Sequence, residues 1–273
     1  MDLLDSQEDF ELFLTEDQVG NVEAIYGSYR LSSVYQPLFT RDGEIYGYEA
    51  LVRIRSLETL QYISPEIIFS APNNQDDYGI DQVNLDRLSR VIHLRNFARL
   101  NKSEAIFLNI LPTTAVMQSL SPTGQKLMRK RLVELGMPNN QVVFEVTEQE
   151  CGNDDDLAVA IDHSKLHGFR IAIDDYGSEA NNESRLRKIN PCIVKIDRGL
   201  LVKYMLGQQI PLLDAISNAK NIGAKIVVEG IETEHDFQAM LALDIDLFQG
   251  YYLGLPKPLM EEIIPVKAAS LPI

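Results

Sequence analysis

The chain has 273 residues, 45% hydrophobic and 24% charged, with 40 acidic against 25 basic side chains and a net charge of −15. So large an apolar share excludes disorder for the bulk of the chain, and the acidity excludes a general nucleic-acid coat, which needs a cationic face. A small phosphate ligand stays admissible, because cations placed locally reverse the field. Two cysteines, Cys151 and Cys192, form neither a disulfide framework nor a metal-ligand spacing, which points to a reducing cytoplasm. The length suits one α/β barrel.

Residues 1–30 begin MDLLDSQEDFELFLTEDQ, acidic where a signal peptide is basic. They read as a lead segment with a short helix and no strand. The barrel domain is expected over 31–262 and a tail over 263–273. No run reaches the roughly 18 to 20 apolar residues of a membrane span, so no membrane insertion is expected. The first strands are YQPLF (35–39) and YGYEALVRI (46–54). Only TRDGEI separates them, with an Asp42-Gly43 turn signal. A parallel crossover needs about a dozen residues, so the pair reads as an antiparallel hairpin. The gap 55–104 holds two or more helices, and Leu85, Leu88, Val91 and Ile92 share one helical face there.

Further strands follow at AIFLNI (105–110), VVFEVTE (142–148), RIAIDD (170–175), CIVKID (192–197), KIVVEGIE (225–232) and LFQGYYLG (247–254). Between them, a helix opens at Asp154–Asp156 and stops at Gly168, and another stops at Gly223. Thr233 with Asp236 forms a capping box before a third. After Pro258 a short helix is expected to end at Pro265. Helix, glycine, strand is the grammar of βα units. The expected fold is α/β, a modified (βα)8 TIM-like barrel with one antiparallel strand.

These strands deliver polar groups at or near their carboxyl ends: Glu49, Asn109, Glu145, Asp174, Asp175, Lys195, Glu229, Glu232 and Gln249. Buried polar groups cost free energy unless partnered, and the carboxyl ends of barrel strands are where active sites sit. Alone, Asp174-Asp175 reads as a turn or cap; beside Glu49, Asn109 and Glu145 it reads as part of an oxygen-rich cation site. Such ligands suit Mg²⁺ or Mn²⁺. His93, His163, His167 and His235 fall in predicted helices and receive no role. Lys195 is either a structural ion pair or a charge stabiliser for a reacting phosphate, and its place at the mouth favours the second. Glu229 and Glu232 flank Gly230-Ile231, which by itself is a solvated loop. Arg53 offers a fork of donors matched to phosphate, although alone it reads as a surface ion pair.

Taken in order, several motifs resemble the EAL-domain phosphodiesterases that hydrolyse cyclic di-GMP. They are Tyr48-Glu49-Ala50-Leu51-Val52-Arg53, FLNI with Asn109, FEVTE with Glu145 and Glu148, and IDDYG with Asp174 and Asp175. VKID with Lys195, VVEGIET with Glu229 and Glu232, and QGYYLGLP with Gln249 and Pro256 complete the series. The resemblance runs from about Tyr35 to Pro258. It implies metal-dependent hydrolysis of cyclic di-GMP to linear 5′-pGpG, lowering a bacterial second messenger, with two Mg²⁺ or Mn²⁺ ions per site. Glu49, Asn109, Glu145, Asp174, Asp175 and Glu232 are then metal residues, and Lys195 and Glu229 catalytic ones. Gln36, Leu51, Arg53, Gln249, Tyr251 and Pro256 are implied to meet the substrate, and Glu148 to anchor a loop. A homodimer is compatible with the resemblance; a DNA or RNA polymer is not an expected partner.

One stretch departs from the family. After the paired aspartates it usually reads phenylalanine, glycine, small residue, glycine, aromatic, then two serines; here it is Tyr176-Gly177-Ser178-Glu179-Ala180-Asn181-Asn182. The departure sustains an alternative, a weak or inactive cyclic di-GMP receptor or protein-interaction module of the same fold. A third reading, proton abstraction in a Mg²⁺ barrel, explains Lys195 and the carboxylates but leaves Arg53 and Gln249-Gly250-Tyr251 idle.

Overall fold

The computed structural model describes residues 3–69, 78–100, 103–120, 122–147, 154–178 and 183–259. The chain starts with α1 (Gln7–Glu11), closed by a capping box between Ser6 and Asp9. Two strands follow, β1 (Leu14–Glu16) and β2 (Val22–Tyr26), where the sequence leads one to expect none. In β2 the residues Val22, Ala24 and Tyr26 are buried and Glu23 and Ile25 half-buried. Three inward positions, interrupted by one acidic and one apolar residue, make too short and too mixed an alternation to stand out.

The hairpin is present and longer than its apolar runs suggest. β3 (Tyr29–Thr40) and β4 (Ile45–Ser56) pair antiparallel from Tyr29 opposite Ser56 to Phe39 opposite Ile45, with a bulge at Leu38/Phe39. β3 thus crosses the boundary drawn at residue 30. β5 (Tyr62–Ile63) joins the far end of β4. α2 (Pro65–Phe69) and α3 (Tyr78–Ala98) are the helices expected in the long gap. On α3, Leu85, Leu88 and Ile92 are buried against Phe10, Ala24 and Ile54. The lead segment and the hairpin therefore share one apolar cluster with α3.

Then the βα grammar takes over. β6 (Ala105–Ile110), α4 (Pro112–Leu120), α5 (Pro122–Glu134), β7 (Val142–Val146) and α6 (Asp154–Leu166) come first. β8 (Arg170–Tyr176), α7 (Glu183–Ile189), β9 (Ile193–Ile196), α8 (Arg198–Met205) and α9 (Ile210–Asn221) follow. β10 (Lys225–Val228), α10 (Glu234–Leu241) and β11 (Leu247–Phe248) end the series. The capping box of Thr233 and Asp236 opens α10 as expected. β11 is two residues long, not eight: beyond it the amides of Leu253 and Gly254 donate to Gly250 O and the chain turns. The helix expected after Pro258 and the tail lie outside the described residues.

β4, β6, β7, β8, β9, β10 and β11 run parallel, and β3 runs antiparallel to both β4 and β11, closing the ring. This is the expected eight-stranded barrel with one strand reversed. Inside it Leu38, Phe107, Val143, Ala172, Ile193 and Val227 form an apolar floor. Outside, Ile106, Leu108, Phe144, Ile171, Val194 and Ile226 pack beneath the helices in the largest cluster. Gly47 faces the floor, where a Cβ would lie 2.7 Å from Ala105 O and 3.0 Å from the Phe107 ring. Among the described residues no helix is long and apolar enough to cross a membrane.

Candidate active site

Side chains along a strand alternate between faces, so the residue two places above each floor position also points inward. Above the floor that rule yields Gln36, Glu49, Asn109, Glu145, Asp174 and Lys195, and Glu229 and Gln249 just past the ends of β10 and β11. One polar layer rests on one apolar layer, which is why short hydrophobic strands carry charged residues at a fixed place.

Lys195 stands at the centre. It is 1% exposed, and its Nζ lies 2.7 Å from Asp174 Oδ1, 2.7 Å from Glu229 Oε1, 2.8 Å from Glu145 Oε1 and 3.5 Å from Glu49 Oε2. Burial alone opposes the ammonium charge, but the four carboxylates outweigh it and hold Lys195 well above its ordinary pKa. Glu145 is fully buried, and neither of its oxygens accepts a well-aligned hydrogen bond; its contact with Lys195 is close but off the hydrogen-bonding directions. Burial drives its carboxyl well above the usual range, Lys195 opposes this, and Glu49 and Asp174 add to it. Glu229 is raised in the same way, by burial first. The mouth thus concentrates more negative charge than one ammonium neutralises.

Asp174 and Asp175 are successive residues, which in a regular strand face opposite ways. Here Asp175 has φ +49 and the β8–β9 register breaks between Ile173 and Tyr176. Aspartate tolerates this left-handed conformation better than most residues, and strain of this kind gathers at functional sites. As a result Asp174, Asp175 and Glu229 each offer a carboxylate oxygen within 4.8 Å of the others. That is room for a divalent cation.

The remaining residues separate into two groups. Gln249 is 3% exposed and donates through Nε2 to Glu49 Oε2 at 2.6 Å, so it orients a carboxylate. Asn109 Nδ2 approaches the other oxygen of Glu49 at 3.5 Å. Gln36 donates to Gly254 O at 3.0 Å. Glu232 sits at the rim, half exposed and paired with Arg198 at 2.7 Å, apart from the triad of carboxylates. Tyr251 is 62% exposed beside a cavity of about 300 Å³ that Gln36, Glu49, Glu229, Glu232 and Gln249 also line. Leu51, Arg53 and Pro256 are half-buried outside that lining, with Arg53 Nη1 3.3 Å from Val52 O. Glu148 and Glu179 to Asn182 lie outside the described residues.

Arg198 is the residue that sequence reasoning missed. It lines the same cavity at the start of α8, and a Cβ on Gly230 would fall 2.3 Å from its Cγ. The signal was a cation three residues after Lys195, at the carboxyl end of a predicted strand. Gly250 is equally constrained: a Cβ there would meet Ile231 O at 2.1 Å, where Tyr252 N–H donates to that oxygen and Ile231 N–H to Gln249 O. Only glycine lets the two turns interlock.

Comparison with known proteins agrees with this geometry. The sequence profile described as the EAL domain matches residues 23–256. The chain is 26% identical over 246 residues to the cyclic di-GMP phosphodiesterase PdeF of Escherichia coli, covering 86% of this chain and 31% of that protein. The crystal structure of the Bacillus subtilis YkuI protein, an EAL-domain protein in complex with substrate c-di-GMP and calcium, is 25% identical with TM-score 0.71, over 85% of this chain and 57% of that one. A standalone EAL protein from Vibrio cholerae, solved in its c-di-GMP-bound form, shares the fold at 24% identity and TM-score 0.69, over 85% of this chain and 94% of its own. The chain spans about a third or less of the length of the curated phosphodiesterases from Escherichia coli named PdeF and PdeA.

Proposed function

The chain belongs to the EAL domain family, and on that premise we propose that it hydrolyses cyclic di-GMP to linear 5′-pGpG with divalent cations, in the cytoplasm. The observation that carries the reading is Glu145: a fully buried carboxylate whose only cationic neighbour among the described residues, Lys195, is shared with Asp174, Glu229 and Glu49, and whose oxygens accept no well-aligned hydrogen bond. A buried carboxylate of this kind calls for a positive ligand. The donor set suits Mg²⁺ or Mn²⁺ rather than zinc.

Glu49, Asn109, Glu145 and Asp174 would hold one ion, and Asp174 and Asp175 would share or hold a second, with Glu232 ordering the shell. Bound there, such ions would supply Lewis-acid polarisation of a phosphoryl oxygen and a lowered pKa for water. The chain's own groups do the rest. Lys195 neutralises charge on the phosphoryl oxygens and holds the attacking water. Glu229 takes up or returns a proton. Arg53 and Arg198 supply cationic donors to the phosphates, while Gln36, Leu51, Tyr251 and Pro256 border the rest of the dinucleotide. Water oxygen bonds to phosphorus, the bond to one ribose 3′-oxygen breaks, and that oxygen takes a proton to become the free hydroxyl of 5′-pGpG.

The altered stretch Ser178–Asn182 favours a second reading, a cyclic di-GMP receptor that binds without cleaving. One experiment separates them. With Mg²⁺ or Mn²⁺, chromatography of cyclic di-GMP incubations should show 5′-pGpG, lost in excess chelator and reduced by about 10³-fold or more in Glu49→Ala. Arg53→Ala should chiefly raise KM. Intact dinucleotide retained by wild-type protein would establish the receptor, and full turnover in chelator would reject the metal site.

A further inference from the structure

A second cavity, of about 500 Å³, lies between α1, α3 and α5 and shares no residue with the mouth. Its size is within the roughly 300–1,000 Å³ of small-molecule sites. The walls are apolar, with Phe10, Val22, Leu94, Leu127 and Met128 among them. Around these stand Arg87, Arg90, Arg95, Arg99 and Arg131, five of the chain's fourteen arginines, against two lining carboxylates, Asp5 and Glu134. With Glu11 and Asp86, which pair with these arginines from behind the lining, the count is five arginines to four carboxylates, a small positive excess in a chain of net charge −15.

Salt bridges account for part of it. Arg95 and Arg131 share Glu11, and Arg131 also meets Glu134 at 2.6 Å. Arg99 donates to Gly20 O. The buried pair is different. Arg90 is 2% exposed; its Nη1 reaches Asp86 Oδ2 at 2.5 Å, while its Nε has no partner. Arg87 is 8% exposed and donates to Leu4 O at 2.7 Å. Its pKa is drawn down by burial first and then by Arg90, with Asp86 and Asp5 opposing this. A buried donor without an acceptor is costly, and arginine cannot shed its charge to escape.

We propose that this cavity binds an amphipathic carboxylate, a fatty-acyl anion whose head group meets Arg87 and Arg90 and whose chain lies between α1, α3 and α5. A neutral hydrocarbon leaves Arg90 Nε unmet, a cation is repelled, and a polyanion such as a nucleotide finds too few polar walls. The head group then sits one hydrogen bond from the catalytic mouth, since Arg90 Nη1 also donates to the main-chain oxygen of Asn109 at 3.4 Å. Binding itself does not depend on the phosphodiesterase reading.

Isothermal titration of the full chain with decanoate is the test. One site per chain is expected, with decan-1-ol and decyltrimethylammonium weaker by about tenfold or more, the loss that follows from an unmet charged donor. Val91→Phe fills the cavity from α3 and should weaken decanoate by a similar factor. Arg87→Met, which keeps the stem and removes the charge, should do the same. Equal affinity for the alcohol, or unchanged binding in Val91→Phe, would overturn the proposal. So would sedimentation with phosphatidylglycerol vesicles in the absence of decanoate binding, which would assign the arginines to a membrane surface. If Arg87→Met does not fold, Val91→Phe and the alcohol decide alone.

Discussion

His93 shows how much a single position is governed by its surroundings. It is buried, its Nδ1 lies 2.7 Å from Ser33 Oγ, and the Tyr35 ring meets it edge-on. Burial first, then the charges of Arg90 and Arg53, push its pKa down to about 3. Above about pH 6.5 the imidazole is neutral folded or unfolded, and its contribution to stability is fully present. As pH falls from about 6.5 toward 3, the unfolded chain takes up a proton that the folded one refuses, so stability drops by about 1.4 kcal/mol per pH unit. Between pH 6.5 and 5 the wild type should therefore lose about 2 kcal/mol more than His93→Gln, measured by urea unfolding. Equal slopes would show that His93 titrates normally. At this scale the sequence was legible where chemistry alternates with period two: Glu49, Glu145 and Lys195 could be placed by counting from their strands. The φ of Asp175 and the pairing of Glu232 with Arg198 were not legible, because both depend on how strand ends turn.

Between neighbouring barrel strands, packing is close where Gly47 on β4 makes way for Ala105 and Phe107 on β6. A methyl there has no free volume, and over-packing of this sort costs about 1–3 kcal/mol. Gly47→Ala should lower the unfolding free energy by that amount, seen as a lower urea midpoint at unchanged slope m. A neutral result would mean that the floor yields more readily than its contacts suggest. Helix stops at Gly168 and Gly223, both with positive φ, and the cap at Thr233 were readable because local chemistry sets them. β1 and β2 were not, since they are three and five residues long with a mixed polar pattern, and the Gly27-Ser28 turn joining β2 to β3 was the one local signal left unread. β11 was over-read, for aromatic residues in Gln249–Gly254 suggest a strand that the Ile231 turn interrupts.

For the whole molecule the charge at the mouth is a debt that ligands relieve. Carboxylates crowd around one ammonium there, and a cation that binds the folded state alone stabilises it. Mn²⁺ at a hundredfold over its Kd should add about 2.7 kcal/mol, which raises Tm by roughly 5 °C in a thermal scan without substrate. Glu145→Gln should abolish most of that shift. An unchanged Tm in wild type would argue against a cation site irrespective of activity. The barrel itself was legible from one gap: six residues between two strands allow no crossover, so one strand had to reverse.

That reversed strand also dictates when the barrel can close. The outer edge of β3 is completed by residues near the other end of the chain: Phe39 and Thr40 by Phe248 and Leu247, Tyr35 by Lys257, and Gln36 by the Gly254 carbonyl. Ribosomes add about 5–20 residues each second, so β3 waits on the order of ten to forty seconds for its partner to emerge. Until then the nascent sheet keeps an open flank, a template for pairing with other chains. Closure of the ring rests on a strand of two residues.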